Sequence, residues 1–368
     1  MTSLRVLLVS DALGNGGAER QLSLLATSLP DGWEPSVFSL DEEDGHFTAV
    51  LREAGIQVDI MPRGSRLDLT PAARMWSAAS KIKPHVVHSW GWLTSAAMLL
   101  YCRTHGIPLV DGTIRTGRVP AKRPWGNRLS VALADRVVAN SAAGLRAFGV
   151  LESRGRVVYN GFDTTRLAGI RPSRSVSEAA AREGRTVVVM AARMYPEKDW
   201  ALLFEAARTL SHEEPDGWRF VAIGDGPGRE TLKGEAEDLI SAGVLEFMEG
   251  VADVLPIVAA ADIGVLLTNA DIAAEGCSNT LMEYMACGLP VVCTDTGGNP
   301  EVVLEGRTGH LVPPAGVQAL AARLRELRER PDEARTLGEA GRQRLLERFS
   351  VAAMVEGFVD AYDWALRR

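Results

Sequence analysis

The stretch "TVVVMAARMYPEKDW" (Thr186–Trp200) begins as an unbroken apolar, largely β-branched run, turns through Arg193 and Pro196, and brings Lys198 to a helix start. A run without polar alternation is buried on both faces, as a parallel strand covered by helices is. It is also a restart. The preceding stretch "RLAGIRPSRSVSEAAAREG" (Arg166–Gly184) has no apolar periodicity and reads as a connection. Before it, "RVLLVS", "PSVFSL", "IQVDIM", "PHVVHS", "PLVDGTI", "RVVANS" and "RVVYNG" alternate with helical patterns. After it come "RFVAIGDG", "VLEFMEG", "DIGVLLT" and "LPVVCTD" in the same rhythm. The pattern predicts an α/β chain of two tandem Rossmann-like, doubly wound domains with ligands at the carboxyl ends of the strands. We place the first domain at 1–168, the linker at 169–184, the second domain at 185–348 and a last helix at 349–368.

Composition supports two folded domains. With 368 residues, 46% of them hydrophobic and 24% charged, the chain exceeds what one core serves and has no disordered character. The four cysteines show neither Cys-x-x-Cys nor His spacing for a metal, so neither a disulfide framework nor a zinc site is expected, and a reducing cytoplasm fits. The apolar run before Asp11 is too short for a signal segment or a membrane span. Residues through Ala168 carry 19 Lys and Arg against 15 Asp and Glu, a net of +4, and the rest carry 21 against 32, a net of −11. Halves of opposite sign point to different partners. Nucleic acid is excluded as a main partner because the whole chain is acidic and no recognition motif occurs.

Four constellations carry candidate chemistry. "SDALGNGGAERQL" (Ser10–Leu22) follows the first strand and opens a helix, and Gly14, Gly16 and Gly17 let the backbone approach an anion at the helix start. A dinucleotide loop is the other reading, although Glu19 stands where the third glycine of G-x-G-x-x-G belongs. A glycine turn without a ligand is the bland one. Arg193 and Lys198 set two cations at a strand's carboxyl end, suited to a diphosphate, or else to surface pairs with Glu197 or Asp199. "AIGDGPGRETL" (Ala222–Leu232) is another glycine turn, equally explained as a tight connection. The fourth is "EGCSNTLMEYMACGLPVV" (Glu275–Val292). Ser278 and Asn279 are helix caps, so Gly276, Cys277 and Ser278 present amides at a positive helix end, while Glu275 precedes the helix and Glu283 lies in its second turn. A carboxylate aimed at an anion is repelled, so each glutamate suits hydroxyl groups. A capping loop with a solvated Glu275 and an ion-paired Glu283 is the structural alternative.

In this order and spacing, "GGAERQL", "VVHS", "ADRVVANS", "VVYNGFD", "AARMYPEKD", "AIGDGPGRETL", "EFMEGVADV", "TGHLVPP" and the Glu275–Glu283 block resemble the retaining nucleotide-sugar glycosyltransferases of family four. The resemblance implies the GT-B fold, with an acceptor-binding first domain facing a donor-binding second domain across a cleft and the C-terminal helix crossing back to the first. It implies a transferase moving a hexose-type sugar from a nucleoside diphosphate, UDP before GDP, to a hydroxyl in glycan, glycolipid or natural-product synthesis. Carried over by position, Glu283 holds the donor ribose and Glu275 faces the sugar. Arg193 and Lys198 neutralise the departing diphosphate with amides near Gly16, Gly17, Cys277 and Ser278, and the backbone around Gly250 meets the base. Gly276 and Asn279 complete the donor set. No cofactor is implied, since the nucleotide-sugar is a substrate. The chain contains no Asp-x-Asp, which argues against a metal-held diphosphate.

Two positions depart from the pattern on the acceptor side. His88 is followed by Trp90 where many members have a second histidine, and Arg115 stands where a histidine often follows the fifth strand. His88 is equally readable as a core histidine. Arg118, Lys122, Arg123 and Arg128 surround Trp125, a segment suited to an anionic membrane surface or a lipid-linked acceptor, or to plain solvent. The chain is therefore expected in the cytoplasm, at most peripheral on the membrane. The competing readings are an NAD-dependent oxidoreductase using Gly14–Gly17 and a non-catalytic sugar-nucleotide-binding relative.

Overall fold

In the computed structural model, residues 3–14, 16–41, 45–65, 68–119, 124–173 and 184–367 are described. The chain divides into two compact units, Met1–Gly161 with Ser350–Arg368, and Phe162–Phe349.

The first unit is built on a parallel sheet of β1 (Leu4–Ser10), β2 (Trp33–Ser39), β3 (Gln57–Ile60), β4 (Val86–Ser89), β5 (Leu109–Ile114), β6 (Arg136–Ala139) and β7 (Gly155–Val157). Their order is β3-β2-β1-β4-β5-β6-β7. Successive side chains serve opposite faces: Val6 and Leu8 join one buried cluster, Leu7 and Val9 the other. This is why β1 reads as continuously apolar. The helix Val351–Leu366 closes the first of these faces with Met354, Val355, Phe358, Ala361, Tyr362 and Ala365, one stripe at helical spacing. Each large side chain so buried is worth about 1.5–3 kcal/mol. Ser350 starts this helix by accepting the Ala353 amide at 3.2 Å. The C-terminal helix thus returns to the first sheet, as expected.

The second unit carries β8 (Thr186–Ala191), β9 (Trp218–Ile223), β10 (Leu245–Met248), β11 (Ile263–Leu266), β12 (Val291–Thr294) and β13 (Gly309–Val312), all parallel, in the order β10-β9-β8-β11-β12-β13. Both sheets reverse strand order beside their first strand, so each is doubly wound with a crevice at the reversal. In the second sheet that point lies between β8 and β11, which pair over only Ile263↔Val188 and Gly264↔Val189. Beyond them the buried Tyr284 hydroxyl accepts from the Ala191 amide at 2.7 Å and donates to the Val265 carbonyl at 3.1 Å. A Cβ on Gly264 would stand 2.5 Å from the Tyr284 ring, so glycine is required for this wedge.

The division falls after Gly161, ahead of the boundary at Ala168 read from sequence. Phe162 donates its amide to the Phe349 carbonyl at 2.7 Å, and Arg166 is ion-paired within the second unit, which draws these residues there. Of the linker at 169–184, residues 174–183 lie outside the described residues. The strand β13 was not anticipated. Among the described residues no helix is long and apolar enough to cross a membrane.

Candidate functional site

The loop after β8 is laid along the end of β11. Lys198 forms an isolated antiparallel bridge with Thr268, Asp199 donates its amide to the Leu267 carbonyl at 3.1 Å, and the Asp199 side chain caps the helix Trp200–Glu213 through the Leu202 amide. The glycine turn after β9 packs on the same loop: Met194 donates to the Asp225 carbonyl at 2.9 Å and Gly228 to the Met194 carbonyl at 3.1 Å. That turn supports the loop after β8 through these two bonds.

Held in this way, the Lys198 ammonium pairs with Glu275 Oε1, and the Thr268 hydroxyl donates to the same oxygen at 3.0 Å. Burial works to raise the Glu275 carboxyl's pKa, but the Lys198 charge and hydrogen bond, the Thr268 hydroxyl and the Arg193 charge outweigh it, leaving Glu275 ionised below its ordinary range. Arg193, itself 71% exposed, pairs with the part-buried Glu197 at 3.0 Å. Such a surface pair is worth about 0–1 kcal/mol, so little holds Arg193 from another anion. The bland reading of Arg193 is thus seen in this structure, while Lys198 pairs with neither Glu197 nor Asp199 but with Glu275.

Glu275's backbone is fixed from the other side. Its carbonyl accepts the Gly298 amide at 2.8 Å, and Gly297, at φ +59°, approaches so closely that a Cβ would lie 2.2 Å from that carbonyl oxygen. Gly276, Cys277 and Ser278 follow, all buried, and the helix Asn279–Ala286 begins with Ser278 as its cap. None of the four cysteines forms a disulfide.

Glu283, in that helix, is buried and accepts from Arg166 Nη1 at 3.0 Å. Burial disfavours the Arg166 charge, but Glu283 and Asp253 more than restore it, raising its pKa above the usual value. The Gly250 amide donates to Asp225 Oδ2 at 2.9 Å. The second unit therefore brings Lys198, Glu275 and residues 276–279 into one cluster at the carboxyl ends of its strands, with Arg193 beside it and Glu283 farther along the helix.

Gly16, Gly17, His88 and Arg115 belong to the first unit. Gly16 caps the helix Gly17–Ser28, and the Glu19 carboxylate folds back against it: a Cβ on Gly16 would be 2.1 Å from Glu19 Oε2. The helix start thus faces a carboxylate of the chain itself. His88 is fully buried in β4. Its Nδ1 accepts from the Tyr362 hydroxyl at 2.7 Å and from the Trp90 indole at 3.2 Å. An acceptor at Nδ1 assigns the proton to Nε2, which has no hydrogen-bond partner. Burial, then the Arg115 charge, lower the His88 pKa to about 3, so the ring is neutral. The ring edge lines a pocket shared with Gln21, Trp90, Arg115, Asn140 and Asn160. Arg115 lies over the Trp90 ring and donates to the backbone carbonyls of Gly112 and Trp90. Burial lowers its pKa against the charges of Glu19, Asp111 and Asp11.

Sequence reasoning missed Thr268, Tyr284, Asp225 and Arg166. Thr268 carried a signal, a polar residue closing an apolar strand in "GVLLTNAD". The others act through partners far along the chain.

A family model described as Glycosyltransferase Family 4 matches residues 15–166, and one described as Glycosyl transferases group 1 matches residues 174–344. The alpha-maltose-1-phosphate synthase of Mycolicibacterium smegmatis is 31% identical over 75% of this chain and 78% of its own length. A GDP-mannose-dependent alpha-(1-6)-phosphatidylinositol monomannoside mannosyltransferase of the same organism is 35% identical over 51% of this chain, which spans only 50% of that relative's length. Among solved structures, Anabaena HepE in complex with UDP superposes with a TM-score of 0.82 at 22% identity, over 98% of this chain and all of that one.

Proposed function

The chain belongs to the family-four glycosyltransferases of the GT-B fold, and on that premise we propose that it moves a hexose-type sugar from a nucleoside diphosphate, a UDP-sugar before a GDP-sugar, to a hydroxyl acceptor with retention. The observation that carries this reading is the Lys198–Glu275–Thr268 cluster beside the 279–286 helix start, at the strand reversal of the second sheet. As the bond from the anomeric carbon to the β-phosphate oxygen breaks, negative charge gathers on the diphosphate and positive charge on the sugar. Fixed cations and oriented amides stabilise that state without reorganising. An ammonium has three donors, so Lys198 serves Glu275 and a phosphate oxygen together. Arg193 gives up a surface pair of little worth to do the same. No metal is needed in this scheme, because the chain's own cations serve the leaving group.

Glu275, already ionised and paired, accepts hydrogen bonds from the sugar's hydroxyls rather than attacking carbon. The acceptor oxygen then bonds the anomeric carbon on the face the diphosphate leaves, and its proton passes to a departing phosphate oxygen. Glu283 receives the ribose hydroxyls, and the backbone near Gly250 meets the base. In the first unit, the His88 Nε2–H and Arg115 are assigned to the acceptor. GDP is a second reading for the donor base, favoured by the GDP-mannose-dependent relative.

A screen of UDP- and GDP-sugars for thermal stabilisation, followed by donor hydrolysis and transfer assays, tests the reading. Stabilisation by none of them overturns it. Glu283→Ala is expected to weaken binding of the true donor about tenfold or more, read by isothermal titration. Turnover equal to that of the unaltered enzyme at sub-saturating donor would remove Glu283 from the site.

Membrane contact belongs to the same proposal. On the helix Pro124–Leu133, Trp125, Leu129 and Leu133 are exposed at spacings of four, 85%, 59% and 39% respectively, with Arg128 on the same helix. Lys122 and Arg123 lie outside the described residues. An apolar stripe with basic neighbours fits an anionic lipid surface. The protein is expected to co-sediment with vesicles containing phosphatidylglycerol and not with pure phosphatidylcholine, and Trp125→Ser with Leu129→Ser to abolish it. Equal recovery from both vesicles would count against the contact.

A further inference from the structure

Arg166 lies in the stretch that lacks apolar periodicity, yet its guanidinium joins three segments of the second unit. It sits in the 3-10 turn Thr164–Leu167, started by Asp163, whose carboxylate accepts from the Thr165 amide at 2.9 Å and its hydroxyl at 2.7 Å. From there Nη1 reaches Glu283 Oε1 at 3.0 Å and Nη2 reaches Asp253 Oδ1 at 2.8 Å, while the Phe162 ring lies 5.5 Å from the guanidinium carbon. Asp253 also accepts the Leu255 amide at 3.2 Å, so the carboxylate ends the loop that runs on from Met248.

A planar fork fixes two acceptors at a set separation and angle, which a lysine ammonium does not. The Glu283 carboxylate on its own turns about a broad terminal torsion. Arg166 selects one orientation. A carboxylate offers about four lone-pair sites, and Arg166 takes one of them on Oε1. Stability alone does not account for the trio, because replacing a buried ion pair with apolar groups is often neutral and the half-exposed Asp253 gains little from pairing.

We infer that Arg166 is a positioning residue for the donor nucleoside: it orients Glu283 toward the ribose hydroxyls and ties that carboxylate to the loop that meets the base. The inference rests on the donor reading above. Arg166 itself touches no part of the donor in this role, and its effect is on recognition of ribose.

The test compares UDP with 2′,3′-dideoxy-UDP, and GDP with its dideoxy form, by isothermal titration on the full chain. If the unaltered protein binds neither UDP nor GDP, the donor reading falls and this inference with it. If it binds one, it is expected to prefer the ribose form about tenfold or more. In Arg166→Gln that preference is expected to collapse, with affinity for the dideoxy nucleotide unchanged, and Arg166→Lys to restore it only in part. In transfer assays the donor KM rises and kcat holds. Asp253→Asn, at a half-exposed position that does not endanger folding, is expected to reduce the preference by a smaller factor. A preference retained in Arg166→Gln, or equal losses for ribose and dideoxy forms, overturns the inference while leaving the donor reading intact.

Discussion

Lys198→Met is expected to lower turnover by about 10²–10³-fold, the usual loss when one fixed charge-stabilising group is taken from a transition state. The substitution also strands Glu275, whose side chain is only 18% exposed, as a carboxylate without its principal cation. Removing one partner of such a pair costs about 3 kcal/mol at neutral pH. The sign of the pH dependence then separates this effect from a generic loss of stability. In the unaltered protein the Glu275 pKa is lowered on folding, so its contribution is present above the ordinary carboxylate range and is lost as pH falls through the lowered value. Without Lys198, the two largest influences that lower the pKa are gone, and burial, already the largest single influence, is expected to raise it against Thr268 and Arg193. The ionised carboxylate then penalises folding at neutral pH, and the penalty fades on acidification. The deficit in Tm between variant and parent is therefore expected to shrink as pH is lowered from about 8 to about 5. A deficit that is constant or grows over that range would mean that Lys198 does not neutralise Glu275.

Gly297→Ala is expected to be nearly as damaging, although the residue has no side chain to offer. The new methyl group would collide with the carbonyl oxygen of Glu275, and φ +59° is a conformation that L side chains rarely adopt. Either the turn or the Glu275 loop must move. Strain of this kind costs about 1–3 kcal/mol, and a carboxylate displaced by about 1 Å costs roughly a hundredfold in rate. The expected result is a folded protein with a lower Tm and kcat reduced about a hundredfold, with binding of free UDP or GDP much less affected. Full activity in this variant would show that the Gly297 turn does not set the position of Glu275.

Most of the architecture was legible because parallel strands buried on both faces announce themselves as short apolar runs. "RVLLVS" is such a run, and its alternate residues do enter separate clusters. The same criterion passed over β13, where "GHLV" opens on a glycine and a histidine and so offers no apolar run. The Glu275–Glu283 block was readable because a helix start has a local grammar of small capping residues. What escaped was the set of partners. Thr268 lies seven residues from Glu275, whereas Arg166 lies 117 from Glu283, and no periodicity encodes a contact at that separation. Glu19 is a further case: its place in the first turn was visible, but its return across Gly16 depends on a side-chain torsion.

The wedge formed by Tyr284 links these observations. Its hydroxyl is anchored to both β8 and β11, Thr268 and Leu267 hold the lysine loop, and Thr268 also holds Glu275. The groups assigned to phosphate and sugar therefore take their coordinates from β11 and the two residues that follow it, as instruments do from one optical bench. The 279–286 helix can neither rotate nor slide without disturbing that reference.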